Sequence, residues 1–310
     1  LSSSPPAGPV PGEPIPSRGN FARSFLALIR PHQWVKNGFV LAPAIFAGSA
    51  HHLSVLGRIL LAAALFCLAS SSIYCLNDLL DAEKDRRHPV KRLRPVASGR
   101  ITAPVALSLS LVLAAVAFGG SFRLGSGVAT VVGGYLILNT VYSLGLKNVV
   151  VLDVMVIGIS FVLRVVAGAE AAGVVASHWI LLCTLLLALF LAFSKRRAEL
   201  LALPEDPGAH RPSLVGYSPE LLDRFDSILL GATIVAYAIY TVSPDTIAKF
   251  GSDRLIYGLP FVIFGLFRYL VLVESGKDAG DPGRLALRDP GILSAIVLWA
   301  AYNAAVIYSR

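Results

Sequence analysis

Asn77-Asp-Leu-Leu-Asp-Ala-Glu-Lys-Asp85, followed by Arg86-Arg-His-Pro-Val-Lys-Arg-Leu-Arg94, comes directly off a long apolar segment, Ile59 to Leu76. At helical spacing Asn77, Asp78, Asp81 and Asp85 fall within roughly a 100° arc of one face. Glu83 points away from it. Unpaired carboxylates crowded on one helix face repel one another, and a divalent cation relieves that repulsion. Oxygen donors of this kind suit Mg²⁺. The six Lys and Arg residues from Lys84 to Arg94 suit phosphate oxygens. The stretch therefore reads as a Mg²⁺–diphosphate site at the end of a membrane helix. The plainer alternative is a solvated, charge-balanced loop. Four donors on one face at a helix end favour the metal.

The rest of the chain supports a membrane setting. Of 310 residues, 55% are hydrophobic and only 15% charged, and the mean hydropathy is +0.69. Soluble domains are less apolar and more charged. Repeated long apolar runs make this an all-α, polytopic membrane protein. Nine spans are expected, at 37–50, 57–76, 104–120, 124–142, 149–168, 178–194, 226–243, 255–273 and 290–308. The first is short and holds Pro43. Residues 1–20, rich in Ser, Pro and Gly, read as a disordered tail without the apolar core of a signal peptide. With no Met at position 1, the start is expected to have been processed or trimmed. Residues 21–29 read as a short interfacial helix broken near Pro31.

Charge sets the expected orientation. With the N-terminus in the cytoplasm, inner segments carry 21 Lys and Arg and outer segments 5, with Arg164 inside a span. That excess places the protein in the inner (plasma) membrane with its polar clusters facing the cytoplasm. It also accounts for the net charge of +8 without nucleic acid. The clusters on that side are the acidic stretch, Tyr142-Ser-Leu-Gly-Leu-Lys147 and Lys195-Arg-Arg-Ala-Glu199, and they suggest one shared pocket. Each has a bland alternative: Lys147 as a snorkelling anchor, Lys195 and Glu199 as an i, i+4 pair. Within span five, Asp153 is placed to face the pocket, and Arg164 is expected to pair structurally with Glu170. Cys67, Cys75 and Cys183 match no zinc or disulfide pattern and read as buried small hydrophobes. No Gly-Lys-Ser/Thr phosphate loop, Gly-x-Ser-x-Gly elbow or His-Glu-x-x-His pair occurs, so hydrolase chemistry has no anchor. A transporter or lipid flippase is a competing class, but no internal repeat is visible and the acids lie at a membrane edge.

Asn77-Asp-x-x-Asp81-x-x-x-Asp85 at the end of span two resembles the first aspartate motif of the UbiA prenyltransferase superfamily, and Tyr142 with Lys147 agrees. The resemblance covers the chain beyond about residue 25. It implies one UbiA-type transmembrane domain over 21–310, a nine-helix bundle with a cytoplasm-facing active-site cavity. Arg30-Pro-His-Gln-Trp-Val-Lys-Asn37 and the stretch from Asp85 to Gly99 further resemble the branch that makes a phosphoribosyl lipid for cell-wall arabinan. That likeness implies phosphoribosyl diphosphate as donor and decaprenyl phosphate as acceptor, with Mg²⁺ held by Asn77, Asp81 and Asp85. Asp78, Asp81 and Asp85 would be the catalytic acids. Lys36, Lys147, Lys195 and Arg197 would grip phosphates, together with Arg86, Arg87 and Arg92, and Asn77, Tyr142 and Glu199 would line the site. Membrane lipids would surround the bundle, and a homo-oligomer is compatible with it. Relatives that prenylate aromatic rings carry a second Asp-x-x-x-Asp motif after span six. Here that place reads Ser194-Lys-Arg-Arg-Ala-Glu-Leu200, which suits a bare phosphate better than a prenyl diphosphate. The lysine of the Tyr…Lys motif stands one residue further on than in many relatives.

Overall fold

Leu53–Leu80 (α3) decides where the acidic stretch lies. Its 28 residues rise about 42 Å, beyond the roughly 30 Å of a hydrocarbon core. The last turns, with Asn77 and Asp78, therefore emerge at one rim. The helix ends at Asp81 (φ −94°, ψ 1°), and a short α4, Ala82–Arg87, follows. The expected single helix face thus breaks at Asp81.

The structure, a computed structural model, describes residues 18–48, 52–88, 90–202, 211–275 and 282–308. Among these no strand occurs. Eight helical segments are long and apolar enough to cross a membrane: α3, α5 (Ala103–Ser121), α6 (Ser126–Leu144), α7 (Leu152–Ala172), α8 (His178–Ala202), α9 (Pro219–Val242), the segment Arg254–Glu274 and α13 (Pro290–Tyr308). This is a multi-pass membrane protein. Shorter helices are α1 (Arg18–Ile29), α2 (Ala42–Ala47), α10 (Pro244–Phe250), α11 (Leu259–Glu274, the helical part of the seventh segment) and α12 (Pro282–Arg288).

The ninth expected span, 37–50, is not among them. Pro31–Val40 forms a 3₁₀ segment, and α2 adds six residues before Gly48 turns left-handed at φ 71°. Pro31 and Pro43 remove backbone donors that one continuous α-helix would need. α1 begins at Arg18, so the last three residues of the expected tail are helical. Residues 1–17 of that tail lie outside the described residues.

Helix packing follows small and polar residues, as expected where lipid gives no hydrophobic drive between helices. On α3 and α5, Ser72 and Ser110 donate reciprocally to each other's carbonyls at 2.8 and 2.9 Å. One apolar core joins α3, α6 and α7 through Phe66, Ala69, Val132, Tyr135 and Ala167. A second joins α8, α9, α11 and α13 through Phe190, Leu230, Leu266 and Ile292.

The 3₁₀ segment is fixed across this bundle. Trp34 donates to Ser71 at 3.0 Å. Asn37 donates to Ser70 at 3.3 Å and accepts from Arg164 at 2.8 Å. Arg164 does not pair with Glu170. It is buried, donates to Tyr135 and the Ser160 carbonyl, and stacks on the rings of Phe66, Tyr135 and Phe161. The segment's far end seats on Gly168, where an added Cβ would lie 1.9 Å from the Val40 carbonyl oxygen. Gly168→Ala should therefore lift 31–40 off α7, destabilising the fold by about 1–3 kcal/mol. Thermal unfolding in detergent checks this, and an unchanged melting temperature would refute the close seating.

Candidate active site

Three carboxylates leave α3 and α4, and each meets a cation from elsewhere in the chain. Asp78, 1% exposed, pairs with Arg30 and lies 3.3 Å from Arg94. Asp85, also buried, accepts from the same Arg94 nitrogen at 2.7 Å. Asp81 accepts from Lys147 Nζ at 2.6 Å. The sequence suggested unpaired, mutually repelling acids, but three basic side chains neutralise them. Glu83 is exposed, as expected. Arg86, Arg87 and Arg92 are exposed too, and Arg86 donates to the Ala97 carbonyl.

The cations come from constrained backbone. Arg30 joins α1 to the 3₁₀ segment in the left-handed region, at φ 52° and ψ 62°, and its guanidinium lies over the Tyr74 ring. Residues before proline favour extended backbone, so this conformation is held against local preference. Lys147 lies in the turn before α7. There Val151 has φ 68°, a γ-turn closed by Leu152 N donating to the Val150 carbonyl at 2.9 Å. Positive φ is strained for a β-branched residue. The Val151 amide donates to the Tyr217 hydroxyl at 2.7 Å, and that hydroxyl donates to Asp153 at 2.8 Å. Burial, reinforced by the Asp153 carboxylate, pushes the Tyr217 phenol up, so it stays a donor.

Asp153 belongs to this buried support. It is 0% exposed and accepts from Arg196 at 2.7 Å and Ser213 at 3.1 Å. It does not face an open pocket. Arg196 also donates to Glu199 at 2.7 Å. Its neighbour Arg197 turns instead to Asp223 of α9 and Glu274 of α11. Lys195 keeps its i, i+4 relation to Glu199 at 3.8 Å.

The three polar clusters do meet at one pole. Lys147 reaches Asp81. Arg211, just before the 3₁₀ turn Pro212–Gly216, donates to Tyr142 at 3.2 Å. Glu199 lies in the field of Arg196, Lys195, Arg211 and Lys91, and Lys36 acts on Lys195. Burial pushes the Lys91 ammonium down, and the nearby Glu199 opposes that shift. One half of the pole is thus acidic and neutralised. The other gathers cations around a single glutamate. Sequence reasoning gave no individual role to Arg30, Lys91 or Arg94 and did not mention Arg211 or Tyr217. Arg30, Lys91 and Arg94 stood in stretches already singled out; Arg211 and Tyr217 carried no local signal.

The residues present suit a hard cation. Asp78 Oδ2 is buried with no hydrogen-bond partner. Asp81 and Asp85 each engage their cation through one oxygen. The Asn77 side chain makes no hydrogen bond among the described residues. All of these are oxygen donors. Among the described residues, however, no three acidic, His or Cys side chains converge on one point.

One rim of a helical membrane bundle thus joins three acids to three cations and keeps one buried carboxylate oxygen, Asp78 Oδ2, without a partner. The chain belongs to the UbiA prenyltransferase family, whose model matches residues 38–287, and it is an enzyme of that family. It is 35% identical to the decaprenyl-phosphate phosphoribosyltransferase of Mycolicibacterium smegmatis (strain ATCC 700084 / mc(2)155), over 97% of this chain and 96% of that protein. It is 34% identical to the protein of the same name from Corynebacterium glutamicum, over 93% and 88%. Its fold resembles a UbiA homolog from Archaeoglobus fulgidus solved with DMAPP and Mg²⁺. The TM-score is 0.70 and the identity 21%, over 93% of this chain and 100% of that one.

Asp153→Asn would take from the buried Arg196 its fully buried charge partner, leaving it only the part-exposed Glu199. Breaking a buried pair this way typically destabilises by about 3–5 kcal/mol. Chemical or thermal unfolding should show the loss, and Arg196→Met on the same background should restore part of it. A single variant as stable as wild type would remove Asp153 from the support.

Proposed function

We propose that the enzyme transfers the 5-phosphoribosyl group of phosphoribosyl diphosphate to decaprenyl phosphate, releasing diphosphate. The product, decaprenylphosphoryl-5-phosphoribose, would feed cell-wall arabinan synthesis. The observation that carries this reading is the division of the pole. The oxygen-donor half suits a diphosphate with Mg²⁺. The half in which Lys91, Lys195 and Arg211 act on Glu199, and Lys36 acts on Lys195, suits a second, bare phosphate. Two relatives named for this transfer over nearly their full length support it.

Bound at Asn77, Asp81 and Asp85, Mg²⁺ would supply Lewis-acid stabilisation of the departing diphosphate, with Asp78 backing the set. Lys147 and the arginines at the acidic stretch hold the donor's phosphates in line. Lys195 and Arg211 hold the acceptor phosphate beside ribose C1, with the prenyl tail lying between helices in lipid. The attacking phosphate oxygen is already an anion, so no strong general base is needed. As diphosphate leaves, C1 gains oxocarbenium character. The protein contributes chiefly position and fixed charge. Arg197, tied to Asp223 and Glu274, takes a supporting place in α8. The excess of Lys and Arg on this side supports a pole that faces the cytoplasm at the plasma membrane.

Purified protein given radiolabelled phosphoribosyl diphosphate and a polyprenyl phosphate should form a labelled lipid, and EDTA should stop it. Asp81→Ala should lower turnover by at least about 100-fold while the melting temperature stays near wild type; Asp85→Ala, which also takes a buried partner from Arg94, should lose turnover to the same extent and some stability with it. If product forms only from a hydroxylated aromatic and a prenyl diphosphate, the assignment of donor and acceptor is wrong.

A further inference from the structure

Asp78, Asp81 and Asp85 are matched by Arg30, Arg94 and Lys147, three acids to three bases. The partners come from separate places in the chain: the junction after α1, the loop after α4 and the turn before α7. Two features mark the arrangement as provisional. Arg94 spreads one nitrogen over two carboxylates, at 2.7 Å to Asp85 and 3.3 Å to Asp78. Asp78 keeps Oδ2 buried with no partner, although an arginine sits at its other oxygen.

Consider a bare divalent ion approaching this set. An ion seated on the oxygens left free, such as Asp78 Oδ2, draws the carboxylates' charge away from Arg94 and leaves its guanidinium under-compensated in a partly buried place. The balanced set would then carry two surplus positive charges. Unpaired charge out of water is strongly unfavourable. If the same ion arrives on a diphosphate, the anion restores the balance. Its oxygens also accept that guanidinium, whose planar fork suits phosphate as well as carboxylate.

We infer that Arg94, with Arg30 and Lys147, is an exchangeable counter-ion: it holds the carboxylates until a divalent ion enters already bound to the donor's diphosphate, then passes to the phosphate oxygens. The site thereby discriminates against the bare ion. This rests on the donor reading given above, and it adds an order of entry and a selectivity role for Arg94.

The experiment is a Mn²⁺ titration of the full-length protein in detergent, followed by electron paramagnetic resonance. It is run with and without inorganic diphosphate and corrected for Mn²⁺–diphosphate in solution. Wild type should bind bare Mn²⁺ weakly, and at least about tenfold more tightly with diphosphate. Arg94→Gln should gain at least about tenfold in affinity for bare Mn²⁺ and lose affinity for the diphosphate complex. Loss of a cation that is merely nearby would also ease bare-ion binding, so the accompanying loss of affinity for the diphosphate complex is what marks exchange. If Arg94→Gln fails to fold, Lys147→Gln in the same titration should show the same gain. Unchanged or weaker bare-ion binding by the folded variant overturns the exchange and leaves the donor reading standing. Equal binding of bare and diphosphate-bound Mn²⁺ by wild type does the same. Wild type that takes up Mn²⁺ in neither condition overturns the metal reading and this inference together.

Discussion

Charge neutrality at the rim of an apolar bundle is the constraint that the rest of the structure serves. A buried carboxylate without a partner is strongly unfavourable, and α3 delivers Asp78 almost fully buried. Its partners must come from other segments, because the one basic residue of α3, Arg58, lies near the helix's far end and donates to the Ala171 and Leu124 carbonyls. Each of those segments is then fixed in turn. Trp34 and Asn37 fasten the 3₁₀ run next to Arg30 onto α3, and Arg164 and Gly168 fasten it onto α7. Tyr217 and Asp153 fasten the turn that presents Lys147. The strained residues, Arg30 and Val151, lie in these two connections. Strain is tolerated where surrounding contacts over-determine the backbone, and both sites have such contacts.

What could be read from the sequence divides by range. Long apolar runs report on the nearest twenty residues, so eight spans were legible, but α8 runs on to Ala202 past the expected 194 and α9 begins at Pro219 ahead of the expected 226. The ninth failed because Pro31 and Pro43 act locally on hydrogen bonding, and a hydropathy average does not register that. Asn77-Asp-x-x-Asp81-x-x-x-Asp85 was legible because its members are neighbours. Its neutralising partners were not. Arg30 and Asp78 are 48 residues apart, and Lys147 and Asp81 are 66 apart. Arg164 and Glu170 looked like a pair because they are close in sequence. Six residues at about 100° each put them roughly 240° around the helix, so α7 turns Glu170 away, while the 3₁₀ segment brings Asn37 to Arg164.

The two buried arginines of the bundle show how the setting decides the partner. Arg196 meets a carboxylate, Asp153, and its pairing ties α8 to α7 beside the turn that carries Lys147. Arg164 has no carboxylate among the described residues. It is held by an amide, a phenol, a carbonyl and three aromatic faces. Ring faces attract a cation without adding a second desolvated charge. Deep in the bundle that avoids burying an acid as well, whereas near the rim Asp153 can share its charge with Arg211.

That contrast changes the reading of Lys195-Arg-Arg-Ala-Glu199. As a string it offers three cations for a phosphate. In the fold Arg196 is committed to Asp153 and Glu199, and Arg197 to Asp223 and Glu274. Only Lys195 stays with the polar pole, where Lys36 and Arg211 also act on it. The capacity to hold a second anion therefore comes from convergence of four segments, not from the motif. Lys36 arrives on the 3₁₀ run, Lys91 on the loop after α4 and Arg211 on the turn before α9. The first two of these segments also carry Arg30 and Arg94, so the packing that balances the acids also brings Lys36 toward Lys195 and Lys91 toward Glu199. A displacement of the 3₁₀ run would disturb both halves of the pole at once.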